Sequence, residues 1–547
     1  MPTEKTPPPV LPDFYYLNNF LTLIEYVAQQ YTDLLNENEK AWIDCFQMLP
    51  RDGKALTVRL LSRRGIWFRE DKLKYSEIKD LSATLAELER VGFVSLSNQP
   101  ATEVACDLLT KPELVNLLSD CPLKKQEKKQ VFVDYALETK PTLTLPFQCI
   151  ALHHQEIMPV FLLLFFGNAH QDLSQFVLSD LGIHQYEDVE ISKAYRLFRQ
   201  RKHITDWLSL SELSEQLWLA TTAKDIPCIL GIASSVQAST AFETIEWQPM
   251  ERKRQRLLTR IGRELERQSQ LDDAVLFYQQ SALPPARERL ARIYTKQNRL
   301  ALAADIVKDM LESPVDEDEQ ETAGRIARQL AKKTEINAPE KIKAAFESET
   351  VSLSIGRSVE LTVAEYYQSQ GWQAWYSENL LLNAVFGLTF WDIIFSPVEG
   401  AFLNPFQRSP RDMYHESFSS TRKDMLESRF RQITQHGLDY IFGVYKEKHG
   451  TSNDWVNWHY VTEELLSAAI NSLSSAQWVG CFRRLLFDLR ANRKGHPDLF
   501  MVKEGKPCFI EVKGPGDSLQ YHQIRWLNYF DHLGIECKVV YVESATQ

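Results

Sequence analysis

Long hydrophobic runs and a cleavable leader are missing from this sequence. Its longest apolar stretch, residues 157–167 (IMPVFLLLFFG), is too short for a bilayer, which needs about 20 residues. The opening MPTEKTPPPVLPDF has neither the basic start nor the apolar core of a signal peptide, and residues 1–12 predict a proline-rich extended tail. We therefore predict an intracellular protein that has no membrane partner.

Paired cysteines are missing as well. The eight cysteines include no CxxC pair and stand at positions 45, 106, 121, 149, 228, 481, 508 and 537. This spacing argues against a zinc finger and against a disulfide framework, and it fits a reducing compartment. The remaining composition, with 44% hydrophobic and 25% charged residues over 547 positions, is typical of a globular protein that has more than one core.

An excess of positive charge is also missing, because 62 basic residues face 73 acidic ones. Nucleic acid responds to local patches more than to net charge, and residues 51–74 hold eight basic against three acidic residues. This patch predicts a helix and a short strand, and Gly92-Phe93-Val94 further along is similar to a wing strand. We predict a helical, winged-helix-like DNA-binding region over 1–105, in which Arg63 and Arg64 contact DNA. The alternative is that both arginines only solvate a surface helix.

The middle of the chain predicts helices. Residues 106–250 form a connecting region, in which 111–138 predicts two short helices similar to a SAP-type DNA-binding module. Residues 251–345 predict tetratricopeptide-like helical repeats. The acidic stretch 315–321 within them predicts a solvated loop or a helix start.

The first helix of these repeats carries arginines on one face, at Arg252, Arg256, Arg260, Arg263 and Arg267. Their spacing places them on a single stripe. The stripe predicts a contact with nucleic acid or with a partner. The alternative is a salt-bridged face between neighbouring repeats.

The chemistry of the chain is concentrated in residues 495–527. Asp498–Val502 and Pro507–Lys513 predict two strands joined by a turn at Lys503–Lys506. Side chains alternate along a strand, so Glu511 and Lys513 share one face, and the hairpin brings Asp498 towards it. The alternative is a charged edge strand, where lysine and glutamate are common.

Two carboxylates and one ammonium suit metal-dependent phosphodiester hydrolysis. A hard cation held by Asp498, Glu511 and the Val512 carbonyl can lower the pKa of a water and neutralise developing charge. Lys513 can orient the attacking water or stabilise the phosphate. We predict one or two Mg²⁺ or Mn²⁺ ions, with Asp498, Glu511 and Lys513 as catalytic residues.

The tail segments PDLFM, FIEVKGPGDSL and HQIRWL resemble the VRR-type nuclease domain of the PD-(D/E)xK superfamily. Four further segments, YYLNNFLTLIE, LTVRLLSRRGIWFR, WDIIF and GAFLNPFQRSPRDMY, extend the resemblance to the Fanconi-associated nucleases over most of the chain. The resemblance implies a structure-specific DNA nuclease with 5′-flap endonuclease and 5′ exonuclease activity. Its substrate would be branched or flapped DNA, and its role DNA repair, including interstrand crosslinks.

The same resemblance implies further site residues. An additional metal-binding glutamate on an upstream helix corresponds to Glu378, at the N-terminal end of SENLLLNAVFGLTFWDIIF. Its rival is Asp392, which could instead be a buried, hydrogen-bonded structural acid. Asp517 is a candidate outer-shell acid, and Gln523 a residue that positions the lysine or the phosphate.

Arg493 and Lys494 stand just before the Pro-Asp pair and predict contacts with the DNA backbone near the scissile phosphate. No Cys/His cluster stands near the start, so the ubiquitin-binding zinc finger of vertebrate members is not evident. The chain resembles a short bacterial member, which predicts a cytoplasmic or nucleoid-associated protein.

We predict a multidomain α+β fold, in which helical DNA-binding and repeat regions precede a mixed-sheet PD-(D/E)xK nuclease domain. That domain covers 346–547, with its catalytic core at 477–547 joined by the Glu378 helix. Two alternatives stay open from the residues alone. One is another Mg²⁺-dependent nuclease, RNA-cutting or restriction-like, and the other is a non-enzymatic helical-repeat scaffold for DNA repair.

Overall fold

The structure is a computed structural model that describes residues 13–169, 185–340, 346–356 and 358–544. The predicted proline-rich tail at 1–12 lies outside these ranges. The chain divides into two compact units, the first made of 1–184 and 198–204, the second of 185–197 and 205–547. Within the described ranges, no helix combines the length and the apolar character that crossing a bilayer requires.

The first unit is a helical assembly around a small sheet. Its elements are α1 (Tyr15–Tyr31), α2 (Glu37–Met48), α3 (Arg51–Leu61), β1 (Trp67–Arg69), α4 (Leu81–Arg90), β2 (Val94–Ser97), α5 (Thr102–Leu108), α6 (Lys111–Leu117), α7 (Lys129–Thr139), β3 (Cys149–Leu152) and α8 (Met158–Phe166). Asn36 and Glu39 form a reciprocal capping box that starts α2. Phe20, Leu23 and Val27, spaced along one face of α1, are fully buried.

The small sheet joins strands from both sides of the predicted domain boundary at residue 105. Its strand order is β1-β3-β2, and β3 pairs antiparallel with both neighbours. The strand predicted after Gly92 is present as β2. Its partner in the sheet is β3, at residues 149–152, and the helices α5 to α7 lie between these two strands in the chain. Residues on both sides of 105 therefore share one sheet, and the domain bounds stay a prediction.

The predicted DNA contacts Arg63 and Arg64 lie in the turn that follows α3, and both are exposed. They do not belong to the helix itself, which ends at Leu61. Arg63 stacks against the Tyr75 ring, with its guanidinium carbon 5.6 Å from the ring centroid. These positions do not test whether Arg63 and Arg64 contact DNA, so that contact stays a prediction.

Successive helices form the N-terminal half of the second unit. They are α9 (Arg201–Ala223, begun in the first unit), α10 (Ile226–Gln237), α11 (Gln248–Arg267), α12 (Leu271–Gln279), α13 (Ala286–Lys296), α14 (Leu300–Glu312) and α15 (Glu317–Leu330). The predicted packing positions Ala274, Tyr278, Ala291 and Tyr294 are buried. Helices α11 and α12 pack closely at Gly262, where a Cβ atom would lie 3.1 Å from the Tyr278 ring.

The acidic stretch at 315–321 is a helix start, as predicted, and two of its acids are buried while Asp318 is exposed. Asp316 caps α15 by accepting a hydrogen bond from the Glu319 amide at 2.8 Å. Glu317 and Glu319 are each only 4% exposed. They pair with Arg484 at 3.0 Å and with Arg287 at 2.5 Å, respectively. Buried acids are retained where a cation and hydrogen bonds compensate them.

The arginine stripe on α11 divides into paired and exposed members. Arg252 pairs with Glu416, and Arg267 pairs with Glu264 at 2.6 Å. Arg256, Arg260, Arg263 and Arg267 are exposed. Neither pair joins neighbouring repeats, because Glu416 begins α19 and Glu264 lies on α11 itself. The contact of the stripe with nucleic acid or with a partner therefore stays a prediction.

A five-stranded mixed sheet forms the remainder of the second unit. Its elements are β4 (Glu347–Leu353), α16 (Val359–Ser369), β5 (Gln373–Tyr376), α17 (Leu381–Thr389), α18 (Trp391–Ile394), α19 (Glu416–Thr421), α20 (Lys423–His436), α21 (Ile441–Lys448), α22 (Glu463–Ser472), α23 (Ser475–Phe487), β6 (Leu499–Lys503), β7 (Lys506–Lys513), α24 (Tyr521–His532) and β8 (Cys537–Ser544). The strand order is β4-β8-β7-β6-β5. Strand β8 runs parallel to β4 and β7, and the other pairs are antiparallel. The predicted α+β fold with a mixed sheet is confirmed.

The sheet buries a different core on each face, as strand alternation requires. On one face Leu499, Met501 and Ile510 pack with residues of α16. On the other face Phe500 and Phe509 pack beneath α24 and the inserted helices α17 to α23. The residues that continue the second face towards the ends of β6 and β7 are Asp498, Glu511 and Lys513.

Candidate active site

The hairpin of β6 and β7 sets the register of the site. Glu504 and Gly505 both have positive φ, 53° and 75°, which is the geometry of a two-residue type I′ turn. The turn pairs Lys503 with Lys506 and, further along, Leu499 with Ile510. Asp498, which precedes β6 by one residue, therefore lies beside the end of β7. Its Oδ2 accepts a hydrogen bond from the Val512 amide at 2.8 Å.

Asp498, Glu511 and Lys513 meet on one face, as the strand alternation predicts. Lys513 Nζ lies 2.8 Å from Glu511 Oε1. The three residues are 7%, 0% and 8% exposed. Since β7 lies between β6 and β8 in the sheet and these side chains are buried, the alternative of a charged edge strand is wrong.

Gln523 on α24 completes the surroundings of Glu511. Its Nε2 donates to Glu511 Oε1 at 2.5 Å, and its Oε1 accepts from the Gln520 amide at the start of the same helix. Glu511 Oε2 is buried and receives no hydrogen bond within the described part of the chain. A buried carboxylate oxygen without a donor is costly unless it has another partner.

Burial dominates the electrostatics of the two acids. It raises the pKa of Asp498, although the hydrogen bond from the Val512 amide opposes the rise. It also raises the pKa of Glu511, where the charge of Asp498 adds to the rise and Lys513 opposes it. Two desolvated acids thus share one ammonium. This surplus of negative charge, together with the orphaned Oε2 and a set of hard oxygen donors, fits a divalent cation.

Glu378 differs from its prediction. It lies in the turn between β5 and α17 rather than in the first turn of the helix, which begins at Leu381. Its Oε2 accepts from the Tyr376 hydroxyl at 2.5 Å and its Oε1 from Asn379 Nδ2 at 3.2 Å. Its charge raises the pKa of Asp498. Over the described residues, however, no three acid, histidine or cysteine side chains converge tightly enough to hold a metal, so Glu378 stands near the pair without joining it.

The rival acid Asp392 is exposed and accepts two hydrogen bonds from Arg429 Nη2, at 2.7 and 2.9 Å. It is hydrogen-bonded as predicted, but the expectation that it is buried was wrong. Asp517 is exposed in the turn after β7, where its Oδ2 accepts from the Gly514 amide at 3.1 Å. One acid was missed by the sequence reasoning. Glu360, in the first turn of α16, also raises the pKa of Asp498.

A basic cleft of about 490 Å³ adjoins the acids, lined by Asn379, Asn383, Tyr414, Arg490, Arg493, Lys494, Gly495 and His522. The predicted DNA contacts Arg493 and Lys494 both line it. Lys494 is exposed, whereas Arg493 donates to the Tyr414 hydroxyl and to the Asp454 carbonyl. Gly495 has φ +83°, and a Cβ atom there would lie 2.8 Å from the His522 backbone. A glycine is therefore required where this loop crosses the start of α24.

Comparisons with known proteins agree with this architecture. Residues 14–95 match the family described as "FAN1, HTH domain", and residues 438–544 match the VRR-NUC domain. A Fanconi-associated nuclease 1 homolog from Pseudomonas aeruginosa is 33% identical, over 98% of this chain and 97% of the relative. Human Fanconi-associated nuclease 1 is 24% identical, over 96% of this chain and 62% of its own.

Solved structures match the chain over the same extent. A crystal structure of paFAN1 bound to a 5′-flap DNA of two nucleotides with a gap has a TM-score of 0.80 and 31% identity, over 98% of this chain and 100% of that one. A second, with a one-nucleotide flap, has a TM-score of 0.78. The chain therefore belongs to the Fanconi-associated nuclease 1 family and is a structure-specific nuclease of DNA repair.

Proposed function

We propose that this chain cleaves DNA that carries a 5′ flap, as an endonuclease near the junction and as a 5′ exonuclease, with Mg²⁺ or Mn²⁺. The buried pair of Asp498 and Glu511 carries the proposal, because two desolvated acids beside a lysine are otherwise hard to explain in a packed sheet. The flap specificity is supported by the likeness to paFAN1, whose structures hold 5′-flap DNA.

Asp498, Glu511 and the Val512 carbonyl would hold the first ion, with Glu378 as a further ligand. Glu360, the other acid that raises the pKa of Asp498, is available to a second ion. A metal held there would supply an activated water and neutralise charge on the phosphate oxygens. Gln523 contributes by holding Glu511 Oε1, which leaves Oε2 free to ligate.

Lys513 assists the reaction from the same face. Its ammonium is held 2.8 Å from Glu511, and it is nearly excluded from solvent, where a positive charge acts more strongly on a developing phosphorane. It orients the attacking water and stabilises the phosphate. Asp517 shapes the turn that follows Lys513, and Arg493 and Lys494 contact the DNA backbone beside the scissile bond.

The regions outside the nuclease domain bind the DNA. The winged-helix-like region of the first unit contacts the duplex through Arg63 and Arg64, and the repeats of 251–345 support the branched arm. The helices α6 and α7 of the 106–250 region, for which a SAP-like module is predicted, belong to the same DNA-binding part. Interstrand crosslinks are among the lesions that such a nuclease processes.

Cleavage of an end-labelled 5′-flap duplex tests the proposal, with Mg²⁺, Mn²⁺ or EDTA. Wild type is compared with Asp498→Ala and with Asp392→Ala, a matched control because Asp392 is an exposed acid that pairs with Arg429 instead of joining the site. We expect metal-dependent cutting near the junction that Asp498→Ala abolishes and Asp392→Ala leaves intact.

An RNA flap and a blunt DNA duplex of the same sequence run beside it. Preferential cutting of the RNA would indicate that the chain is an RNA nuclease instead. Cutting in EDTA, or cutting that survives Asp498→Ala, would refute the site. Binding of the flap without cutting under either metal would instead support the scaffold alternative.

A further inference from the structure

The hydroxyl of Tyr376 lies beside Glu378, an acid of the site that does not join the pair of Asp498 and Glu511. Tyr376 ends the edge strand β5, where it pairs in register with Leu499. Its hydroxyl donates to Glu378 Oε2 at 2.5 Å. Two residues along, Glu378 is also held at Oε1 by Asn379 Nδ2, over a longer 3.2 Å. Each carboxylate oxygen of Glu378 thus has one donor, and the hydroxyl is the closer of the two.

The segment that carries both residues is anchored to the catalytic strand. Ser377, between Tyr376 and Glu378, is 2% exposed, and its amide donates to the Asp498 carbonyl at 2.8 Å. Tyr376 and Asp498 also interact electrostatically, because the charge of Asp498 adds to the rise in the pKa of the phenol. The hydroxyl therefore remains a proton donor, and its hydrogen bond goes to Glu378.

We propose that Tyr376 is a positioning residue that orients the Glu378 carboxylate for the metal ion. The hydroxyl keeps Oε2 while the weaker Asn379 contact gives way, so that Oε1 turns to the cation beside Asp498 and Glu511. An oriented ligand loses less rotational freedom on metal binding, and donors that hold ligating groups typically contribute about 10-fold to 100-fold in affinity. This inference rests on the proposed metal-dependent function and adds the residue that completes its site.

Removal of the hydroxyl alone tests the inference. Tyr376→Phe keeps the ring of a side chain that is 40% exposed, so packing is retained, which circular dichroism checks. Tyr460→Phe is the matched control, because Tyr460 is 55% exposed and lies outside the sheet, in the segment between α21 and α22. Mn²⁺ binding to the DNA-free protein is measured by isothermal titration calorimetry, with no substrate present.

We expect Tyr376→Phe to raise the Kd for Mn²⁺ about tenfold, and Tyr460→Phe to leave it unchanged within about twofold. The double variant of Tyr376→Phe with Glu378→Gln should bind no more weakly than Glu378→Gln alone, since the hydroxyl acts through that carboxylate. In flap cleavage, Tyr376→Phe should shift the Mg²⁺ midpoint upward by the same factor and recover most of the wild-type rate at saturating Mg²⁺.

An unchanged or lower Kd in Tyr376→Phe overturns the inference, and so does a loss that adds fully to that of Glu378→Gln. A rate that stays low at saturating Mg²⁺ with an unchanged midpoint overturns it as well. The proposed function fails separately, when wild type itself binds no Mn²⁺ or leaves the flap uncut. When wild type binds and cuts but Tyr376→Phe matches it in both assays, only the role of Tyr376 is refuted.

Discussion

Truncation of Glu317 should destabilise the second unit far more than truncation of its neighbour Glu321. Glu317 begins α15 in the helical repeats, yet its carboxylate reaches the nuclease part of the same unit. It accepts from Asn492 Nδ2 at 2.9 Å, pairs with Arg484 at 3.0 Å and lies 3.7 Å from Arg525. The arginine side chains are only 15% and 14% exposed.

The expected magnitude follows from what Glu317→Ala leaves behind. Burial lowers the pKa of Arg484, the charge of Arg525 lowers it further, and Glu317 opposes both. Without that carboxylate, two desolvated guanidinium groups face each other and Asn492 loses an acceptor. Removal of one partner from a buried ion pair costs about 3–5 kcal/mol. Glu321 is 37% exposed and 4.0 Å from Arg525, so Glu321→Ala should cost less than about 1 kcal/mol.

Urea denaturation followed by tryptophan fluorescence measures both variants, and hydrogen exchange of α24 locates the loss. Glu317→Gln should fall between wild type and Glu317→Ala, because its amide oxygen can still accept from Asn492 while the charge is gone. If Glu317→Ala loses no more stability than Glu321→Ala, the ion-pair network does not hold the nuclease part to the repeats.

Three further outcomes follow from the site and the N-terminal turn. Burial raises the pKa of Glu511, so the folded metal-free protein keeps a proton that the unfolded chain releases, and its stability in EDTA should fall as pH rises above about 4.3. Glu511→Gln should flatten this dependence of stability on pH. At pH 8 it should raise the free energy of unfolding by about 1.4 kcal/mol for each unit by which the pKa of Glu511 is raised. A wild-type stability that is equally independent of pH in urea titrations would contradict this. Lys513→Met should lower the single-turnover cleavage rate by at least about 100-fold while calorimetric Mn²⁺ binding is retained; a rate near that of wild type would remove the lysine from the mechanism. Arg63→Ala and Arg64→Ala should each reduce the slope of log affinity against log salt by about 0.9 in fluorescence anisotropy, whereas Arg90→Ala, an exposed arginine paired with Glu87, should not; equal slopes for all three would refute a phosphate contact.

Sequence reasoning succeeded where the determining interactions are local. The hairpin that presents Asp498, Glu511 and Lys513 depends on a two-residue turn and on strand alternation, and both can be read from consecutive residues. The helices of the repeats follow from spacing in the same way. The position of Gln523 beside Glu511 was approached only through the family resemblance, because α24 reaches the sheet through tertiary packing.

The failures at β3, Glu317 and Glu360 depend on contacts between distant parts of the chain. The strand β3 was assigned to a separate region, because nothing near residue 149 reveals its partners β1 and β2. The burial of Glu317 is set by Arg484 and Asn492, which lie far along the chain. Glu360 cannot be recognised as a site residue from the sequence around it. It is an acid in the first turn of a helix, where acids are common because they interact favourably with the helix dipole.

The strand order of the nuclease sheet has a consequence for the synthesis of the protein. Strand β4 ends at Leu353, but its neighbour β8 begins only at Cys537. At roughly 5–20 residues per second, β4 waits on the order of 10–40 s on the ribosome before its partner emerges. Its acids, the exposed Glu347 and the half-buried Glu349, suit this interval, since charges on an unpaired strand oppose association with other nascent chains. The catalytic sheet is thus assembled only after β8 has emerged from the ribosome.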